Sequence, residues 1–310
     1  MDYFYLILGF AVLLVSGNLL VKSAVSLSSH FRISTLVIGA TVVSLGTSAP
    51  ELVVSIGAAL KNHPDIAIGN VIGSNISNIA LVLGLTAIII KIPVSKTTVR
   101  FDWLYMMFAS ILFFLFVLNG RLSFPEGLIF IILLLVFIFR SIRQSRMEMS
   151  RLEHVFEKAR YSFTLSVILI VLSSAGLFIG ASWLVGSAES VALRFGVSER
   201  VISVTIIAFG TSLPELATSV IAAVKKQLDV SIGNIIGSNI FNILGILGVT
   251  RMIKSLEVNI EMKFDVVWML ALSILLLLFM LPYGKASINR WKGVALFVTY
   301  IFYIFIVFRT

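Results

Sequence analysis

The chain is expected to be an all-α polytopic membrane protein: ten transmembrane helices in two inverted-topology five-helix repeats. Three observations lead there. Apolar runs of spanning length recur from end to end of the 310 residues, only 13% of residues are charged, and two long motifs recur at one fixed offset. Soluble domains carry roughly a quarter charged residues, and about 20 apolar residues suffice to cross a bilayer as a helix. A β-barrel would alternate apolar and polar residues, and that alternation is absent.

Taken in order, the first span (3–25) follows Met-Asp-Tyr, without the basic start of a secretory signal, so it is expected to stay in the mature protein. The second (34–60) contains GTSAPE and the third (66–90) contains GNVIGSNISN. The fourth (102–119) and the shorter fifth (124–140) are almost uninterrupted apolar runs. The sixth (163–193) repeats that composition. The seventh (200–224) contains GTSLPE and the eighth (230–253) GNIIGSNIFN, before two closing apolar runs at 265–282 and 292–308. The chain divides into a first repeat (1–140), a polar linker (141–161) and a second repeat (162–310).

A net charge of +9 invites an anionic partner such as nucleic acid, but in a membrane protein it reflects Lys and Arg gathered in cytoplasmic loops. Of the 24 Lys and Arg, 16 fall on the side of the 140–160 loop, among them Arg140, Arg143, Arg146, Arg151, Lys158 and Arg160. That places the loop in the cytoplasm and both termini outside, in a multi-pass protein of the cell membrane. Nucleic acid is excluded as a partner; the lipid bilayer is one. With no cysteine, disulfides and thiolate metal sites are excluded.

The duplication is long. DIAIGNVIGSNISNI (65–79) and DVSIGNIIGSNIFNI (229–243) agree at 11 of 15 positions, 164 residues apart, and the same offset relates GTSAPE (46–51) to GTSLPE (210–215). Five spans per repeat is an odd number, so the second copy enters the membrane from the opposite side. Inverted repeats of this kind are common in secondary transporters, with the site at the repeat interface near the midplane.

Each hexapeptide concentrates oxygen. Pro50 and Pro214 lack an N–H, which frees carbonyls around Gly46–Thr47 and Gly210–Thr211. Backbone left free at membrane depth is tolerated only in a protein-lined or wet cavity. Glu51 and Glu215 follow in segments where a charge costs several kcal/mol. Continuous helix would put Thr47 and Ser48 on the face of Glu51, and Thr211 and Ser212 on that of Glu215. Ser74 and Asn78 are four apart on one helix face, as are Ser238 and Asn242, while Gly69/Gly73 and Gly233/Gly237 are spaced for close helix approach. Two carboxylates, hydroxyls, amides and carbonyls suit Ca²⁺ or Na⁺; without imidazole or thiolate, zinc and copper are disfavoured. Asp65 and Asp229 read as N-caps, and Asp102, Trp103, Tyr105, Trp268 and Trp291 as interfacial anchors.

These paired motifs resemble the two alpha repeats of the cation/calcium exchanger superfamily, specifically the prokaryotic sodium/calcium exchangers, and the resemblance covers all ten spans. It implies exchange of Ca²⁺ against several Na⁺. Carried over residue by residue, it implies that Glu51 and Glu215 are shared calcium ligands completed by the carbonyls of Thr47 and Thr211. It implies sodium ligands at Ser48, Ser74, Ser212 and Ser238, further sodium positions at the carbonyls of Ser44 and Ala208, and Asn78 and Asn242 in the middle of the site. The potassium-dependent exchangers carry Asp where this chain has Asn242, which counts against potassium dependence.

The leading expectation is therefore an electrogenic, K⁺-independent antiporter working by alternating access, with no cofactor and no obligate protein partner. A Ca²⁺/H⁺ or other cation/proton antiporter is the alternative, since buried carboxylates also bind protons. A cation channel is the reading from a different class. An enzyme is not expected: there is no metal-binding His cluster, no GxSxG nucleophile and no aspartate-rich diphosphate motif.

Overall fold

In lipid every backbone polar group must be satisfied within its own segment, so the apolar runs have little choice but helix. The computed structural model describes residues 1–151, 159–196, 208–259, 262–282 and 287–307. Its helices are α1 (Asp2–Phe31), α2 (Thr35–Thr47), α3 (Ala49–Leu60), α4 (Pro64–Ile89), α5 (Thr98–Asn119), α6 (Phe124–Ser150), α7 (Phe163–Arg194), α8 (Leu213–Val224), α9 (Leu228–Ile253), α10 (Met262–Phe279) and α11 (Arg290–Val307). Eight of these are long and apolar enough to cross a membrane singly. A ninth span is the pair α2–α3, bent by 45°. The seventh expected span is described only from Ala208, as a turn (Ala208–Gly210) leading to α8; its earlier part lies outside the described residues. Helix α6 passes position 140 and continues to Ser150, so the first part of the expected linker is helix.

The duplication is written into the backbone angles. Ser48 (φ −87°, ψ 6°) and Ser212 (φ −87°, ψ 2°) interrupt their spans identically. Each lies two residues before a proline that takes a first-turn position, where its missing N–H costs nothing. Helices α3 and α8 also end alike. Asn62 (φ 62°) and Lys226 (φ 61°) are left-handed, and the next N–H reaches back to Ala58 and Ala222 respectively, both at 2.9 Å. That is the Schellman turn, which satisfies the last carbonyls of a helix.

Loop contacts show which ends share a face. Ser34 N–H donates to Ser145 Oγ (2.7 Å), His30 meets the Tyr161 carbonyl (2.8 Å), and Ile92–Pro93 pairs antiparallel with Ser287–Ile288. On the opposite face, Arg121–Leu122 pairs with Leu256–Glu257, Lys263 donates to the Leu118 carbonyl (3.3 Å), and Asp2 pairs with Arg194 (2.5 Å).

Glycine permits the closest helix contacts. A Cβ on Gly9 would come within 2.8 Å of the Gly180 carbonyl oxygen, and one on Gly180 within 2.9 Å of Gly9's, so α1 and α7 meet backbone to backbone. Gly39 of α2 bears on the Val230 carbonyl of α9 in the same way, at 2.6 Å. Of the small-residue pairs, Gly233 and Gly237 both abut the Leu36–Ala40 backbone, whereas the nearest described side chain to Gly69 is Met262 at 3.9 Å.

The capping expectation for Asp65 and Asp229 and the anchoring expectation for Asp102 and Trp103 are overturned. Asp65 and Asp229 are not N-caps. His63 and Gln227 hold those positions, and the aspartates sit in the first turn, where the helix dipole favours them. Trp103 is buried because its indole N–H finds the Ser273 carbonyl at 2.9 Å inside the bundle, and Asp102 beside it is buried too. The Tyr105 hydroxyl donates to the Leu133 carbonyl (2.6 Å), while Trp291 is 81% exposed.

Candidate cation site

The helix breaks at Ser48 and Ser212 converge between the two sequence halves, and the helices they start carry Glu51 and Glu215 in their first turns. Both carboxylates are only 1% exposed, yet close enough to act on each other electrostatically. Such a buried pair is costly unless something cationic or hydrogen-bonding meets it.

The break changes what the hydroxyls do. Because α3 begins anew after Ser48, that residue does not share the face of Glu51. Its Oγ crosses to the other half and donates to Glu215 Oε1 at 3.0 Å. Thr47 Oγ1 likewise crosses to Asn234 Oδ1 (3.2 Å), and also bonds the Ser44 carbonyl (3.3 Å). That carbonyl accepts the Ser48 N–H as well, at 2.9 Å, while Ser44 Oγ donates to Thr41 O (3.0 Å). Thr211 lines a cleft of about 140 Å³ with Pro50, Pro214 and, from α7, Phe178, Ala181 and Val185. Ala208 contributes backbone in the turn before it.

From α4 and α9 come Ser74, Asn78, Ser238 and Asn242, all buried. Helix α4 widens into a π-turn at Asn78–Leu83 and α9 at Phe241–Leu247, so each amide lies at the start of a π-turn, a feature frequent at functional sites. Asn242 Nδ2 donates across the halves to Asn75 Oδ1 at 3.1 Å.

Among the described residues several buried oxygens have no hydrogen-bond partner: Oε2 of Glu51 and of Glu215, Oγ of Ser74, Ser212 and Ser238, and Oδ1 of Asn78 and Asn242. Buried polar atoms are normally satisfied, so these seven oxygens, carried by residues of both halves, are open to donors or to a cation. Among the described residues no three His, Cys, Asp or Glu cluster as a conventional metal centre, which leaves hydroxyl, amide and carboxylate oxygen as the ligand chemistry.

Sequence reasoning missed a supporting layer. Asn70 Nδ2 donates to the Glu51 carbonyl (3.1 Å) and Ser55 Oγ (2.9 Å), and Asn234 Nδ2 to Ser219 Oγ (3.0 Å). The signal was present, since Asn70-Ser74-Asn78 and Asn234-Ser238-Asn242 each run at i, i+4, i+8 along one face.

Buried carboxylates, hydroxyls and amides drawn from two related halves of a helical membrane protein fit an ion-transporting class of protein. The family model of the sodium/calcium exchanger protein matches residues 1–143 and 165–309, and the chain belongs to that family of membrane antiporters. The sodium/calcium exchanger MaX1 of Methanosarcina acetivorans is 31% identical over 99% of this chain and 98% of its own length. The inner membrane protein YrbG of Escherichia coli is 35% identical over 95% and 92%. A solved structure of the sodium-calcium exchanger NCX_Mj, soaked with Na⁺ and Sr²⁺, superposes with a TM-score of 0.84 at 34% identity, covering 98% of this chain and 97% of that one.

Proposed function

We propose that this chain is a secondary antiporter exchanging Ca²⁺ against Na⁺ by alternating access, with ten helices in two inverted five-helix repeats (1–140 and 162–310) joined by the 141–161 linker. The observation that carries the reading is the set of seven unpartnered buried oxygens on Glu51, Glu215, Ser74, Ser212, Ser238, Asn78 and Asn242. They coincide with positions expected to hold ions, alongside Ser48, Thr47, Thr211, Ser44 and Ala208. Inversion is supported by the loop contacts: Asp229, at the start of α9, lies on the face of Ser34 and Ser145, whereas its counterpart 164 residues earlier, Asp65, starts α4 at the far end of the α2–α3 span that begins beside Ser34. We place that face in the cytoplasm and both termini outside.

Two carboxylates neutralise one Ca²⁺ and can hold Na⁺ ions through the same oxygens, so the two loads compete. Exclusive occupancy of one centre couples the opposing movements. A load of three Na⁺ carries one more positive charge than Ca²⁺, which makes exchange electrogenic. With an amide at Asn242, K⁺ has no additional carboxylate to neutralise it. The test is radiolabelled Ca²⁺ uptake into proteoliposomes under an imposed Na⁺ gradient, compared with a pH gradient alone. Uptake on the Na⁺ gradient supports the proposal. Uptake driven by the proton gradient without Na⁺ would assign the protein to cation/proton exchange.

A further inference from the structure

A second oxygen-lined cavity lies away from the transport centre, on the face shared by Ser34, Ser145 and Asp229. It measures about 150 Å³ and sits between the starts of α2, α5 and α9 and the end of α6. A liquid water occupies about 30 Å³, so the cavity has room for an ion with part of its hydration. Asp102 lines it at 3% exposure, with Oδ2 lacking a hydrogen-bond partner among the described residues. Ser141, 2% exposed, lines it with an equally unpartnered Oγ. Glu148 faces Asp102 closely enough for their like charges to interact, and Asp229 stands exposed at the rim.

Two features argue against a purely structural role. First, neither Asp102 nor Glu148 forms an ion pair among the described residues. The nearby Arg140 instead lies over the Phe101 ring at 5.8 Å, and Glu148 accepts from Gln144, at 2.9 Å. Second, the matching aspartate of the other half is satisfied: Phe264-Asp265 repeats Phe101-Asp102 at 163 residues, one short of the motif offset, and Asp265 Oδ1 accepts the Tyr303 hydroxyl at 2.9 Å. The same duplicated carboxylate is thus capped at one face and left open at the other, at a π-turn (Thr98–Trp103).

We propose that this cavity is a second cation site, distinct from the transport centre, which takes a divalent ion such as Ca²⁺ on Asp102 and Glu148, with Ser141 and water completing its shell. All the donors are oxygen, which suits a hard cation, and Ca²⁺ tolerates irregular, partly hydrated coordination. Since no three acidic groups converge here, binding is weak, in roughly the 10⁻⁴–10⁻³ M range of low-charge calcium sites. Occupancy would tie the end of α6 to the start of α5. Ser145 of α6 already holds Ser34 at the start of α2, so the ion bears on the helix that leads to Glu51.

The test uses full-length protein carrying Glu51→Gln and Glu215→Gln, which silences the transport centre. Tb³⁺ binding is followed by emission sensitised through Trp103, the neighbour of Asp102, with Ca²⁺ as competitor. One saturable, Ca²⁺-displaceable site is expected. Adding Asp102→Asn should abolish it, and Glu148→Gln should weaken it by about tenfold or more. The melting temperature of Asp102→Asn alone establishes that the isosteric change leaves the fold intact. Absence of a saturable site, or its persistence in the Asp102→Asn protein, overturns the inference. Normal Ca²⁺ exchange by the single glutamate variants would instead defeat the transport assignment, leaving the Asp102 result to stand by itself.

Discussion

Glu51 and Glu215 face the same physical problem, a carboxylate in a place with almost no water, and they meet it differently. Glu215 receives the Ser48 hydroxyl on Oε1, yet each keeps an unpartnered Oε2. Neutralising either removes half of the charge that a divalent ion needs. Glu51→Gln and Glu215→Gln should each reduce Na⁺-driven Ca²⁺ flux to background while the protein still melts at or above the wild-type temperature, because a buried ionisable group has gone. Ser48→Ala removes a hydrogen bond to a charged group, worth about 1.5–3 kcal/mol, and should weaken apparent ion affinity by at least about tenfold. Asn242→Asp sets a third carboxylate opposite Asn75 and forfeits the donor that Asn242 gives it. Flux measured at clamped voltage without K⁺ should proceed in the wild type and become acid-sensitive in the variant. A wild type silent until K⁺ is added would remove Asn242 as the determinant of K⁺ independence.

Helices α1 and α7 owe their contact to two glycines, and relative sliding of these two helices needs a smooth, close interface. Gly9→Val or Gly180→Val drives a side chain into opposing backbone that cannot yield. We expect a loss of roughly 1–3 kcal/mol in thermal stability from the overpacking, with slowed exchange. Gly57, in the interior of α3 with no described neighbour within 4 Å of an added Cβ, is the control: Gly57→Ala should leave transport intact and stabilise by about 0.5–1 kcal/mol. The Schellman turns supply another case. Lys226 adopts the left-handed conformation that Asn62 adopts more readily, so Lys226→Gly should raise the melting temperature by relieving about 1 kcal/mol of strain. Much at this level was readable beforehand. Proline placed the breaks, and hydropathy located the spans. The mixed charges of 141–161 suit a solvated helix, but that this helix continues the fifth span unbroken, with Ser141 and Ser145 buried, was not readable.

The bundle is joined across both faces by short strand pairs, each linking a loop of one half to a loop of the other. This predicts sidedness that single cysteines can report without background, since the chain has none. Met147 is exposed at the end of α6, whereas Ser145 is buried, so Met147→Cys is the probe for the linker face. His63→Cys serves the opposite face, because His63 is exposed and avoids the left-handed backbone of Asn62. A membrane-impermeant thiol reagent should label Met147→Cys only from the cytoplasm and His63→Cys only from outside. Labelling of both from one side would refute the inverted arrangement.

Hydropathy, proline and charge act through the nearest few residues, so the linear chain already displayed its helices, its 164-residue duplication and a shortlist of buried oxygens. What it could not display was how those oxygens are shared. Continuous helix would have given Ser48 to Glu51, but the break turned it toward Glu215. Thr47 found Asn234, and Trp103 and Asp102 went inside rather than to the membrane surface. The contacts of Ser48, Thr47 and Trp103 join residues more than 160 positions apart, in a bundle where backbones meet closely at glycines such as Gly39 against Val230. Which face of a bent helix meets the centre is settled by the helix packed against it, and no local pattern encodes that partner.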